Sequence, residues 1–321
     1  MWTRLTLLAV VAAIAGSTTT LAQRVQRYAA PRTEHGFPSF QGVWATEFLT
    51  MLERPPGVDS PVVNREQAER LADTMRALAP AVNDPQFQLD NVRQLAMVKG
   101  EYRTSVIVDP TDGRMPFTEA GSKLAVSINA RNASSFDHPE QRPLSERCME
   151  NLGYSPIRPL PVVLRYQILQ TRDVVVIVSE GPSGPRLIHL RGGPRPEVLR
   201  SIDGYSVGSW EGDTLVVRTT HLRAEDPARD GIGRPLLLSR NSKIRERFTR
   251  VSERELLYQF TIEDDGLYTR PWTGEFSMTR HDGPIYEYAC HEGNYSLTNI
   301  LRGGQAEAAN VVETETRPQV K

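Results

Sequence analysis

The chain has 321 residues, 39% of them hydrophobic and 24% charged, with a formal net charge of −1. That length holds one large β domain or two ordinary ones, with the composition of a globular protein rather than a disordered one. The balanced charge lacks the clustered positive field that nucleic acid needs, which argues against that partner.

The first 22 residues read as a secretory signal peptide. Arg4 supplies the positive start, Leu5 to Gly16 is an apolar run, and Thr20 and Ala22 fit the small-residue requirement for cleavage after Ala22. The run is shorter than the ~20 residues of a membrane-spanning helix, and no later stretch is long and apolar enough to span. A periplasmic or secreted protein is expected. Residues 23–39 are polar and proline-bearing, an extended lead-in. Residues 40–147 form an N-terminal segment packed on the β domain. Within it, Val63 to Leu78 is helical: Asn64 is the N-cap with Gln67 three residues on. Ala68, Leu71, Ala72, Met75 and Leu78 make one apolar stripe for docking. A second short helix is expected between Asn83 and Val98. Tyr102 to Asp109 alternates like a strand before the turn-forming Asp109-Pro110-Thr111-Asp112-Gly113, and another helix starts near Thr118-Glu119.

Residues 148–303 carry the strand signal. Val162–Gln170, Val174–Ser179, Arg186–Arg191, Thr214–Thr220, Ile244–Val251, Leu256–Glu263, Gly274–Arg280 and Ile285–Cys290 are short β-rich runs separated by turns. The central hairpin is Tyr205 to Thr220, turning at Glu211-Gly212-Asp213. No helical patterns intervene, so the fold class is mainly β: an antiparallel barrel or sandwich with a small helical N-terminal elaboration. Residues 304–321 lack an apolar stripe and read as a flexible tail. Cys148 and Cys290 are the only cysteines. In an oxidising compartment they are either a bridge or two packed thiols.

Several stretches occur together in a recognisable order: SVGSWEGDTLVVRTT (206 to 220), RERFTRV (245 to 251), LLYQFTIEDD (256 to 265), YTRPWTGEF (268 to 276) and YEYACHEGNYSLTNIL (286 to 301). With VDPTDGRMP (108 to 116) and LSERC (144 to 148), they resemble a large family of exported bacterial hypothetical proteins. Gly42-Val43-Trp44 is similar to the start of lipocalin-type barrels. The resemblance implies export and a β-rich, lipocalin-like domain, and supplies no catalytic residues. The chain departs from the family at Val207-Gly208-Ser209, where an arginine is common.

Chemistry-bearing residues concentrate in YEYACHEGN. On a strand, Glu287 and His291 would share a face, and a carboxylate beside an imidazole makes an acid–base pair. His189, Arg191, Trp210, Arg218, Trp272 and Tyr288 are the candidate ligand contacts, the charges for an anionic group and the rings for a cavity wall. A metal site would have to join His189, His221 or His281 to His291 and Glu292. No HExxH, HxH or CxxC spacing supports it, so neither metal nor cofactor is expected. Gly-x-Ser-x-Gly, P-loop and dinucleotide signatures are absent from the sequence. The functional expectation is a barrel with a cavity for a small, partly apolar molecule. The alternatives are a cofactor-free lyase, isomerase or hydratase in that cavity, or an envelope interaction protein with no pocket.

Overall fold

A computed structural model describes residues 28–78, 92, 94–149, 153–158, 160, 163–181, 184–223, 227–229 and 234–316. The expected signal peptide, the start of the expected lead-in and residues 83–91 of the second expected helix lie outside the described residues. Met97–Val98, at the end of that expected helix, is a short strand instead. Nine strands close a barrel: β1 (Gly42–Thr46), β2 (Leu164–Gln170), β3 (Val174–Ser179), β4 (Arg186–His189), β5 (Tyr205–Glu211), β6 (Thr214–Thr220), β7 (Lys243–Arg250), β8 (Glu255–Glu263) and β9 (Trp272–His281). Each pairs with the next, and β1 pairs back onto β9 with Trp44 opposite Arg280. Closure leaves these strands no long exposed edge.

The barrel fold expected from the sequence is present, with one difference in strand direction. β4 and β5 run parallel, with Ile188 opposite Ser206, while every other neighbouring pair is antiparallel. The connection over residues 190–204 is long enough to cross the barrel end and return in the same direction, which a hairpin turn cannot do. The central hairpin forms as read: Glu211 faces Thr214 across a two-residue loop. Gly212 there has φ +61°, as a type II′ turn requires at its first position.

Side-chain alternation decides what fills the barrel. Leu256, Tyr258, Phe260 and Ile262 of β8 point inward, as do Ile244 and Phe248 of β7 and Trp272, Phe276 and Met278 of β9; all are at most 1% exposed. Aromatic rings stack through this interior, with Phe248–Tyr258 at 4.8 Å and Tyr258–Phe276 at 5.0 Å. Trp44 closes one end. Its Nε1 donates to the Phe40 carbonyl at 2.7 Å, and the guanidinium groups of Arg250 and Arg280 stand 5.4 and 5.6 Å from its ring centroid.

The N-terminal elaboration is built as its caps dictate. Asn64 and Gln67 exchange backbone-to-side-chain hydrogen bonds at 3.1 and 2.9 Å, opening α1 (Arg65–Leu78). Ala68 and Ala72 bury its stripe against Leu49, Val92 and Leu95. Tyr102–Asp109 splits into two short strands, Glu101–Arg103 in a three-stranded sheet and Ile107–Asp109 added beside β9. Helix α2 (Glu119–Ser134) starts where expected, with Thr118 Oγ1 accepting from Gly121 N at 3.0 Å.

One expectation fails at the C-terminal end. Ile285–Cys290 is not a strand: residues 282–294 are irregular and mostly exposed. Residues 304–316, which the sequence places in a tail, are part of α3 (Tyr295–Thr316). Asn294 caps this helix by accepting from Leu297 N at 3.1 Å. Gly304 lies so close to Phe136 that a Cβ there would stand 2.1 Å from its ring. A close approach through a glycine leaves no apolar stripe in the sequence to announce it. Cys148 and Cys290 are bridged, with Cα atoms 5.7 Å apart.

Candidate functional site

Inside the barrel a polar network crosses the apolar filling. Arg186 of β4 and Glu246 of β7 face each other with 1% and 0% exposure. Arg186 Nη1 donates to Glu246 Oε1 at 2.8 Å, and its Nη2 completes a second bond to Oε2. Tyr258 Oη donates to Glu246 Oε1 at 2.7 Å, and Ser155 Oγ donates to Oε2 at 2.7 Å. Ser206 and Thr219 hydroxyls accept from Arg186 at 3.1 and 3.2 Å. Burial works to raise the Glu246 pKa. The Arg186 charge and the hydrogen bonds from Arg186, Ser155 and Tyr258 outweigh it, so the carboxyl is held below its ordinary value. Burial, followed by the charge of Glu246, keeps the Tyr258 phenol neutral well above its usual range. Ser155 belongs to residues 153–158, an irregular connection inserted into the interior. Its Ile157 N–H donates to Tyr258 Oη at 2.8 Å. This network is sealed, and its groups are satisfied by one another.

Above it, at the barrel end formed by Thr220, Lys243 and Glu263, lies an open groove of about 580 Å³. Alternation connects the two: Thr219 points inward to Arg186, while Thr220 lines the groove. The floor includes Asp264, a buried carboxylate that accepts from Ser239 and Ser242 hydroxyls, both at 2.6 Å, and from Gly266 and Leu267 N–H. Arg200, Arg240 and Lys243 bring positive charge, and Glu197, Glu263 and Asp265 negative charge. Arg200 is anchored on Glu197 and on the Leu222 and Arg240 carbonyls. Arg240, Lys243, Glu263 and Asp265 are exposed, and their side chains have no hydrogen-bond or ion-pair partner among the described residues.

His221 follows β6 and has φ +61°, a left-handed conformation that costs a histidine about 1–2 kcal/mol. Its carbonyl accepts from Ser201 N at 3.1 Å, and its ring meets the Thr220 hydroxyl, the Arg195 carbonyl and, edge-on, the Tyr205 ring. Tyr205 also contacts His189 at 5.2 Å and lies under the Arg195 guanidinium at 5.0 Å.

The sequence-derived site residues do not gather in one place. Glu287 and His291 are exposed on the irregular segment, so the shared strand face expected for them does not exist. His189, on β4, is half-buried against Tyr205, outside the strands β6, β7 and β8 that border the groove. Arg191 is exposed and paired with Asp173 at 2.9 Å. Arg218 points outward, opposite Arg245. Trp210 packs with Phe37 and Phe40, and Trp272 is core, edge-on to Phe260 and Tyr268. Tyr288 is 40% exposed beside the Cys148–Cys290 bridge in sequence. Among the described residues no group of three or more His, Cys, Asp or Glu gathers to hold a metal ion.

Arg186, Glu246 and Tyr258 are absent from the sequence-derived set, although the sequence carries a signal for them. Glu246 shares strand parity with Ile244 and Phe248, and Arg186 with Ile188, so each charge falls on an apolar face. From the sequence alone, His221 is a candidate only for metal ligation. None of the family models, curated proteins and solved structures compared with the chain matches it.

Proposed function

We propose that this is an exported barrel protein that binds a small polar molecule in the groove beside His221. The observation that carries the reading is the set of four charged side chains without partners among the described residues, Arg240, Lys243, Glu263 and Asp265, around one concavity. Four charges of mixed sign around a 580 Å³ concavity suit a ligand bearing both charge signs. Val198 and Leu199, between the lining residues Glu197 and Arg200, are 86% and 50% exposed and offer an apolar lip for the rest of the molecule. Aromatic side chains and the Arg186–Glu246 network fill the barrel interior, which favours the groove over an internal cavity for this role. Export rests on the signal-like N-terminus and on a disulfide, which persists in oxidising compartments.

The test is native mass spectrometry of protein recovered from the cell envelope, alongside Asn241→Trp. Asn241 is an exposed groove residue whose enlargement fills the site without entering the core. A small adduct on the wild type that disappears in Asn241→Trp supports the groove. An adduct retained by both proteins places the ligand elsewhere.

A further inference from the structure

We infer that the groove, if it is the ligand site proposed above, is also hydrolytic, with Thr220 as nucleophile and His221 as its general base toward small esters bearing an anionic group. Hydrogen bonding fixes which ring nitrogen carries the proton. His221 Nε2 lies 3.1 Å from the Arg195 carbonyl oxygen and 3.5 Å from Glu197 Oε2. Both partners only accept, so Nε2 is the protonated nitrogen of the neutral ring. Nδ1 is then the basic nitrogen, and Thr220 Oγ1 stands 2.8 Å from it and donates. A hydroxyl aimed at a basic nitrogen, with the opposite nitrogen held by acceptors, is the arrangement of an activated nucleophile. Both residues line the groove, and His221 is held there in a left-handed conformation. Arg240 and Lys243 on the same groove supply positive charge for the substrate's anionic group and for the oxyanion.

The reaction balances with water as the only co-reactant. Thr220 Oγ1 bonds to the acyl carbon as its proton passes to His221 Nδ1. Collapse of the tetrahedral intermediate breaks the bond to the alcohol oxygen, which takes that proton and leaves. Water then attacks the acyl-threonine, its proton passing to Nδ1 and on to Thr220 Oγ1. The acid is released with the threonine and the neutral imidazole restored.

The experiment uses mono-p-nitrophenyl succinate, an activated ester with one carboxylate. The protein should release p-nitrophenolate, and acid quenching should trap a succinyl group on the peptide containing Thr220. Thr220→Val keeps nearly the same shape and should lose both signals. His221→Asn places a residue that tolerates the left-handed backbone and should slow release by about a hundredfold or more. Melting temperatures of both variants serve as the folding control. Unchanged release in Thr220→Val, or succinylation only on lysines, overturns the inference. Ligand binding in the groove without acylation overturns catalysis alone, whereas absence of both binding and acylation also removes the groove reading.

Discussion

Glu246 illustrates how one residue can be essential to a fold without making the fold more stable than an apolar alternative. Its carboxylate would be untenable in the barrel interior without Arg186, Tyr258 and Ser155. Glu246→Ala is expected to lower stability by about 3–5 kcal/mol, because it leaves the Arg186 charge buried and unpaired. The double variant Arg186→Met/Glu246→Leu should recover most of that loss, read from urea midpoints at unchanged slope. The linkage with pH runs in two directions. Glu246 has a folded pKa below 4.5, so its contribution is present above the unfolded value and disappears as pH falls through the folded one. Tyr166, Tyr258 and Tyr268 have folded pKa values raised above 10.0, chiefly by burial. Their contribution is intact below pH 10 and is lost as pH rises toward the folded values, because only the unfolded phenols ionise. Denaturation followed by far-UV circular dichroism should show stability falling above pH 10 by about 1.4 kcal/mol per pH unit for each tyrosine. A stability profile flat through pH 11 would contradict their burial.

At the scale of elements, glycine contacts decide how helices meet the barrel. A Cβ on Gly121 would stand 2.2 Å from the Leu267 carbonyl oxygen, a backbone atom that no side-chain rotation can move away. Gly121→Ala should therefore shift α2 and destabilise the protein by about 1–3 kcal/mol, despite alanine's higher helix propensity. Calorimetry would show the lower melting temperature, and an unchanged one would mean that α2 is not docked this way. The same contrast explains what the sequence disclosed. Asn64 with Gln67 and Thr118 at α2 are local caps, and alternating runs such as Leu256–Glu263 are local patterns, so both were legible. The parallel β4–β5 pair, Gly304 against Phe136, and Ser155 reaching Glu246 are contacts between distant positions, and no local period announces them. The groove was illegible for the same reason. Glu197, His221, Arg240 and Glu263 meet only because the β4–β5 connection and the ends of β6, β7 and β8 come together at one mouth of the barrel.

For the whole molecule, the Cys148–Cys290 bridge joins residues 142 apart in sequence, tying the loop after α2 to the segment that leads into α3. Chain entropy gives such a closure about 5 kcal/mol at most. Reduction should therefore lower the urea midpoint and raise hydrogen exchange in α3 before the barrel strands. Equal exchange before and after reduction would mean that the barrel alone holds the helix. The central claim is that a filled barrel presents its binding site at one open end. The most direct test is amide chemical-shift mapping with a panel of small zwitterionic and anionic metabolites. On that claim, shifts are expected at residues 197–200, 220–221, 240–243 and 263–266. Shifts confined instead to the end bearing Arg250, Arg254 and Arg280, or to the interior around Phe248 and Phe260, would contradict it.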